Sequence, residues 1–169
     1  MICYLDSSAF VKRYLEEPGG IQVRQLIADA EALGSVDITR VEVVAALGKA
    51  VRLGAITLEH GEASRRFFQT EWRDLSRVEI TDHVLERAAD LAWSHGLRGY
   101  DSVQLAAAMI WQDRLGFSVT LAAFDVKLWE AAARVGLEVY PAKTSRILER
   151  LNRASGKLPP HRVPPRRDF

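Results

Sequence analysis

Apolar positions along the chain fall into two kinds of run. Short unbroken stretches bounded by polar residues or by Gly and Pro read as buried strands. Longer segments with an apolar residue every three or four positions read as helices. The first strand is Ile2–Leu5, which stops at Asp6. Asp6, Ser7 and Ser8 all suit a helix N-terminus, and residues 9–16 have helical composition before Pro18-Gly19-Gly20 breaks them. Val23, Leu26, Ile27, Ala30 and Leu33 form a stripe that predicts a helix over 21–33, with Gly34 at its exit. Residues 35–38 read as a short strand, and Thr39 with Glu42 three positions on has the capping-box pattern of a helix that ends near Gly54.

Further helices are predicted over 57–74, again from a Thr, and over 81–95, with a stripe at Val84, Leu85, Ala88, Leu91 and Ala92. Between them, 77–80 reads as a strand. The stretch "VQLAAAMI", 103–110, is apolar on nearly every side and predicts a buried helix. Residues 117–124 read as a strand that stops at Asp125. A helix over 126–135, a strand over 137–140 and a short helix over 144–152 complete the pattern.

Strands alternate with helices, and the strands are apolar throughout rather than every second residue. That favours an α/β fold with a mostly parallel sheet covered on both faces. The length of 169 residues suits one domain, placed at 1–152, and the Pro- and Arg-rich "RASGKLPPHRVPPRRDF" at 153–169 reads as a flexible tail. A 48% hydrophobic and 27% charged composition is that of a soluble globular protein. The formal net charge of +1 gives no global field to draw in nucleic acid, so any such binding rests on local patches. Cys3 is the only cysteine, which excludes a disulfide within the chain and suits a reducing compartment. It lies in the first apolar run and reads as core filler. No apolar stretch approaches the roughly 20 residues of a membrane span, and the N-terminus has no basic leader. The expected location is the cytoplasm.

Ligands of open parallel sheets bind beyond the carboxyl ends of the strands. Asp6 and Asp125 each follow a strand, Asp101 opens the most apolar helix, and Glu42 lies in the first turn of a helix that follows a strand. Each has a plainer explanation alone, as a cap, a capping-box residue or a partner of the helix dipole. Together, four acids from four segments can meet at one sheet edge. Close carboxylates repel and burial raises their pKa values, a conflict that a hard divalent cation resolves. Mg²⁺ takes oxygen ligands from a few carboxylates, waters and substrate phosphates, and it supports phosphoryl transfer. His60, His83, His95 and His161 have no zinc-ligand spacing.

The residues also carry a family resemblance. "YLDSSAFVKRYLEEPGG" resembles the opening of PIN-domain nucleases, especially VapC-type toxins, and "TRVEVVAAL", "LRGYDSVQLAAA" and "LAAFDVKLWEAAARVGLEVYP" are similar to their second, third and fourth motifs. The four motifs occur in order over about residues 1–142. The resemblance implies a three-layer α/β/α sandwich and an Mg²⁺- or Mn²⁺-dependent endoribonuclease. Asp6, Glu42, Asp101 and Asp125 would be its metal-binding acids, with Ser8 and Ser7 supporting the site. It also implies an antitoxin partner and a homodimer. One position departs from the pattern: Ala123 stands where the fourth motif often has Ser or Thr, which makes Asp125 the least secure ligand and keeps open a non-cleaving scaffold that binds RNA or a protein. Arg40 and Arg98, then Lys12 and Arg13, are the candidate phosphate contacts. Trp72, Trp93, Trp111 and Trp129 read as packing residues. A haloacid-dehalogenase-type phosphatase would need a second Asp where Ser8 stands.

Overall fold

The computed structural model describes residues 1–142. Five strands, β1 (Ile2–Leu5), β2 (Ala32–Val36), β3 (Ser76–Val78), β4 (Val119–Ala122) and β5 (Glu138–Tyr140), form one sheet in the order β3-β2-β1-β4-β5. Every pairing is parallel. The helices are α1 (Ser7–Phe10), continued by a 3₁₀ turn at Val11–Arg13, then α2 (Gly20–Asp29), α3 (Thr39–Arg52), α4 (Leu58–Glu71), α5 (Asp82–His95), α6 (Gly99–Leu115) and α7 (Val126–Arg134).

The central strand shows why its run is unbroken. Successive side chains of a strand point to opposite faces, and both faces of β1 are covered. Tyr4 belongs to a core built with Val84, Ala88 and Leu91 of α5, with α6 from Leu105 to Trp111, and with Leu128 and Ala131 of α7. Cys3 and Leu5 belong to a second core with Phe10, Val23, Val43, Leu47, Phe68 and Trp72 from α1 to α4. The expected three layers are present, and Cys3 is fully buried filler whose thiol burial pushes up to about 12.

The largest departure from the sequence pattern is at 30–38. Helix α2 ends at Asp29, and Leu33 and Gly34, expected in the helix and at its exit, lie in β2. There Gly34 pairs with Tyr4. A side chain at Gly34 would place its Cβ 2.6 Å from the Trp111 ring, and Trp111 is itself buried beside Tyr4. The glycine serves close packing between sheet and α6, and sheet pairing overrides the helical stripe. Gly34→Ala is expected to lower stability by about 1–3 kcal/mol, the cost of overpacking a filled core, read as a shifted urea midpoint; an unchanged midpoint would mean that the indole yields freely.

Smaller differences have local causes. Helix α1 is one turn long and passes into the 3₁₀ turn. Thr39 does not cap α3: Ile38 holds the cap position with no side-chain bond, and the Thr39 hydroxyl is buried in a polar network described below. Leu85 faces outward at 46% exposure. β4 covers only Val119–Ala122, and Phe117 is exposed. Thr57 and Thr81 do cap α4 and α5, accepting from the His60 and Val84 amides. The helix expected at 144–152 and the tail at 153–169 lie outside the described residues. Among the described residues no helix is long and apolar enough to cross a membrane.

Candidate active site

In this strand order the chain reverses its direction of growth between β1 and β4, and the crevice at such a switch point, beyond the carboxyl ends of the strands, is where open α/β sheets bind ligands. Asp6 follows β1 directly and Asp125 lies three residues beyond β4. Helix α3 starts at the same edge after β2. Helix α6 leads into β4, so its N-terminal turn, with Asp101, returns there too.

Asp6 is 3% exposed. It caps α1: its Oδ2 accepts from the Ser8 amide at 3.1 Å and from the Ser8 hydroxyl. The Ser8 Oγ in turn accepts the Phe124 N–H at 2.8 Å. A hydroxyl has one proton, so the Phe124 amide occupies a lone pair and aims that proton at Asp6. Ser8 thereby ties the end of β4 to the carboxylate at the end of β1, as does the Asp6 N–H bonded to Ala122 O at 3.1 Å. Ser7 is more remote, with its Oγ 3.5 Å from Asp6 Oδ1. Ala123 is fully buried in the core on the α5–α7 face.

The charges are placed against one another. Burial pushes Asp6 up to about 7, opposed by its Ser8 bonds and reinforced by the negative charges of Glu42 and Asp101. Asp101 is also raised, first by burial, then by Asp125 and Glu42, while Arg98 pulls it the other way. All four acids thus act on at least one other. Among the described residues none makes an ion pair within 4 Å. Among the same residues, no three His, Cys, Asp or Glu side chains stand close enough together to hold a metal ion.

Glu42 is oriented by a residue that sequence reasoning missed. Gln104, 1% exposed, donates from Nε2 to Glu42 Oε2 at 2.8 Å and to Thr39 Oγ1 at 2.9 Å, and its Oε1 accepts from the Tyr4 hydroxyl at 3.0 Å. Burial, with Asp6 and Glu42 adding to it, raises Tyr4 well above its ordinary range and keeps that hydroxyl a neutral donor. The Ser35 hydroxyl completes the network, 2.8 Å from Thr39 Oγ1 and 2.7 Å from Leu5 O. These bonds pin four elements, β1, β2, α3 and α6, around Glu42. The signal was one amide in an otherwise apolar run, three positions after Asp101 and so on the same side of α6.

Two of the four expected phosphate contacts are committed elsewhere. Lys12 is 3% exposed, 3.1 Å from Glu17, with its ammonium 4.6 Å from the Phe124 ring centre. Gly19 makes room for that ring: at φ +93° and with a would-be Cβ 2.8 Å from Phe124, it admits no other residue. Arg13 holds Glu71 through two of its guanidinium nitrogens, Nε at 2.8 Å, and Tyr14 donates to the same carboxylate at 2.6 Å, a clamp between the 3₁₀ turn and α4. Arg40 and Arg98 are exposed at the acidic edge.

The family model of the PIN domain matches residues 3–137, most of the chain. The chain belongs to the PIN-domain family. Within it the chain is of VapC type: "Ribonuclease VapC45" from Mycobacterium tuberculosis (strain CDC 1551 / Oshkosh) is 33% identical over 142 residues, covering 84% of this chain and 96% of the relative. Two solved structures share the fold. One is FitAcB from Neisseria gonorrhoeae, with TM-score 0.62 at 16% identity, over 83% of this chain and 98% of that one. The other is a toxin–antitoxin complex from Klebsiella pneumoniae, with TM-score 0.59 at 15% identity over the same shares. For this PIN domain the motif order read from the sequence and the sheet topology agree.

Proposed function

We propose that the protein is a divalent-metal-dependent endoribonuclease and the toxin of a toxin–antitoxin pair. The observation that carries this reading is Asp6: a buried carboxylate with no cation beside it among the described residues, fixed by Ser8 and repelled by Glu42 and Asp101. Such a group is unfavourable in isolation and favourable beside an ion. The donor set is oxygen only, which fits Mg²⁺ or Mn²⁺ rather than zinc. Mg²⁺ commonly takes one or two carboxylates and fills its shell with water and substrate phosphate, so it needs no closed protein cage. Asp6 and Asp101 would hold the metal, with Glu42 and Asp125 completing the acidic edge. The ion would supply charge neutralisation at the phosphate and acidity to a water.

The chain's own residues have distinct parts in this reading. Ser8 holds the Asp6 carboxylate in one orientation, and Gln104 does the same for Glu42. Arg98, exposed beside Asp101, offers its guanidinium to a phosphate oxygen. Hydrolysis adds water across the phosphodiester, and by family resemblance the phosphate stays on the 5′ end and the hydroxyl on the 3′ end. An RNA substrate agrees with the relative named a ribonuclease, and an antitoxin partner with the toxin–antitoxin complex of the same fold. A homodimeric state follows from the same resemblance, and the single cysteine, Cys3, suits action in a reducing compartment such as the cytoplasm.

The test joins binding to turnover. Mn²⁺ at a hundred times its Kd is expected to stabilise the protein by about 2.7 kcal/mol, seen as a higher melting temperature. The purified chain is expected to cut structured RNA with Mg²⁺ and not with EDTA. No melting shift and no cleavage would sink the proposal; a shift without cleavage would leave a metal-binding scaffold in place of an enzyme.

A further inference from the structure

Beyond the acidic edge, a cleft of about 360 Å³ lies between the first turn of α3, the end of α4 and β3, lined by Arg40, Gln69, Trp72, Arg73 and Arg77. Its three arginines come from three places: the first turn of α3, the turn after α4, and β3. The β3 geometry explains the convergence. Val78 packs into the core on the α5–α6 face, so Arg77, one residue earlier, points to the opposite face, where α3 and α4 lie. All three arginines are exposed. Among the described residues none pairs with a carboxylate within 4 Å, although Asp37 and Asp74 are near in sequence. Elsewhere Arg13, Arg87 and Arg134 are each spent on an acid.

Like charges gathered in one cleft repel unless an anion joins them. Guanidinium groups meet phosphate with paired N–H donors. The position favours a nucleic-acid strand. Arg40 is two residues from Glu42, and β3 is two strands from β1, about 10 Å at the usual strand spacing. That distance is within the reach of a short stretch of single-stranded backbone. Trp72 is only 4% exposed, so it forms a wall rather than a stacking platform, and recognition rests on the backbone. The geometry points to a phosphate-binding subsite: Arg40, Arg73 and Arg77 hold the backbone of single-stranded RNA on one side of the cleavage position, and Gln69 adds a neutral donor. This assignment rests on the ribonuclease reading and extends it to where the substrate lies.

The test measures RNA binding apart from cutting. A short fluorescein-labelled single-stranded oligoribonucleotide is titrated in EDTA at several salt concentrations, followed by anisotropy. Replacing all three arginines with Ala is expected to weaken binding at least tenfold and to flatten the slope of log K against log salt by about 2, since each lost contact to a single strand is worth about 0.7. The triple Lys variant should keep the slope. Arg52→Ala, exposed at the opposite end of α3 from Arg40, should change neither quantity. The sites are exposed, so melting temperatures should match. An Ala triple that binds RNA with wild-type affinity and slope overturns the subsite, while wild-type cleavage with Mg²⁺ would still stand. Wild-type protein that binds no RNA at any salt overturns the subsite and the ribonuclease reading together. Arginine-dependent binding of a poly-glutamate peptide, with RNA binding untouched, would make the cleft a docking site for an acidic protein and end the RNA assignment.

Discussion

Asp6→Asn is expected to abolish metal-dependent RNA cleavage, by about 10²–10³-fold or more, and at the same time to make the metal-free protein more stable at alkaline pH. Both effects come from one carboxylate. In the folded chain Asp6 titrates at about 7, raised from the ordinary 3.8 first of all by burial. A raised carboxyl contributes its full stability below the unfolded pKa, where both states hold the proton. As pH climbs from about 4, the unfolded chain releases its proton first and stability drains away. The loss levels off once the folded group ionises near 7. A shift of this size corresponds to a few kcal/mol. Asparagine has no proton to lose, so in EDTA the variant's urea midpoint should lack this decline between pH 4 and 7. Added Mn²⁺ should stabilise the native protein at pH 8 and leave the variant nearly unmoved. Coinciding pH profiles would contradict the burial cost assigned to Asp6. Wild-type cleavage by the variant would remove Asp6 from the chemistry.

Gln104→Leu should produce the second large effect, and by another route. The substitution keeps the bulk and removes three hydrogen bonds at once: the acceptor of Tyr4 and the donors to Thr39 and Glu42. Buried polar groups left without partners cost about 1–3 kcal/mol each. Tyr4 and Thr39 retain Ser35 nearby, so at least about 2 kcal/mol of lost stability is expected. Cleavage should fall by about 10–100-fold, as when a metal-site carboxylate loses its orienting partner. Gln104→Glu separates the two effects. It keeps an acceptor for Tyr4 but sets a carboxylate where a donor met Glu42, so its activity deficit should be larger than its size-neutral shape suggests and should ease as pH falls. A Gln104→Leu protein with unchanged melting and unchanged cleavage would make the network incidental.

Much of this was legible in the chain because the physics concerned was local. Asp6 ends an apolar run, and that alone marks a strand's carboxyl end. Thr57 and Thr81 cap helices through bonds to their own neighbours. The apolar run at 103–110 could only be a buried helix. The illegible parts depended on contacts that only the fold brings together, most of them with residues far away in sequence. Nothing near Gly34 says that an indole from α6 will lie against it, so the helical stripe was extended past its true end. Thr39 looked like a cap because its hydroxyl's real partners, Ser35 and Gln104, are brought together only by the sheet. Lys12 and Arg13 looked free for phosphate because Phe124, Glu17 and Glu71 reach them through the fold. The same limit hid the arginine cleft: Arg40, Arg73 and Arg77 are scattered in sequence and meet only where the first turn of α3, the end of α4 and β3 come together.

The bonds from Ser8 and Asp6 to Ala122 and Phe124 also bear on timing. A chain emerging from the ribosome presents Asp6 before β4, and the partners at Ala122 and Phe124 arrive more than a hundred residues later. Until β4 is made and pairs with β1, the first acid has neither its orientation nor its burial. The acidic edge is therefore completed by one of the last segments of the domain to be synthesised. A protein harmful to the RNA around it would stay harmless until that segment had emerged and paired, and an inhibitor made alongside it would have that interval in which to find it.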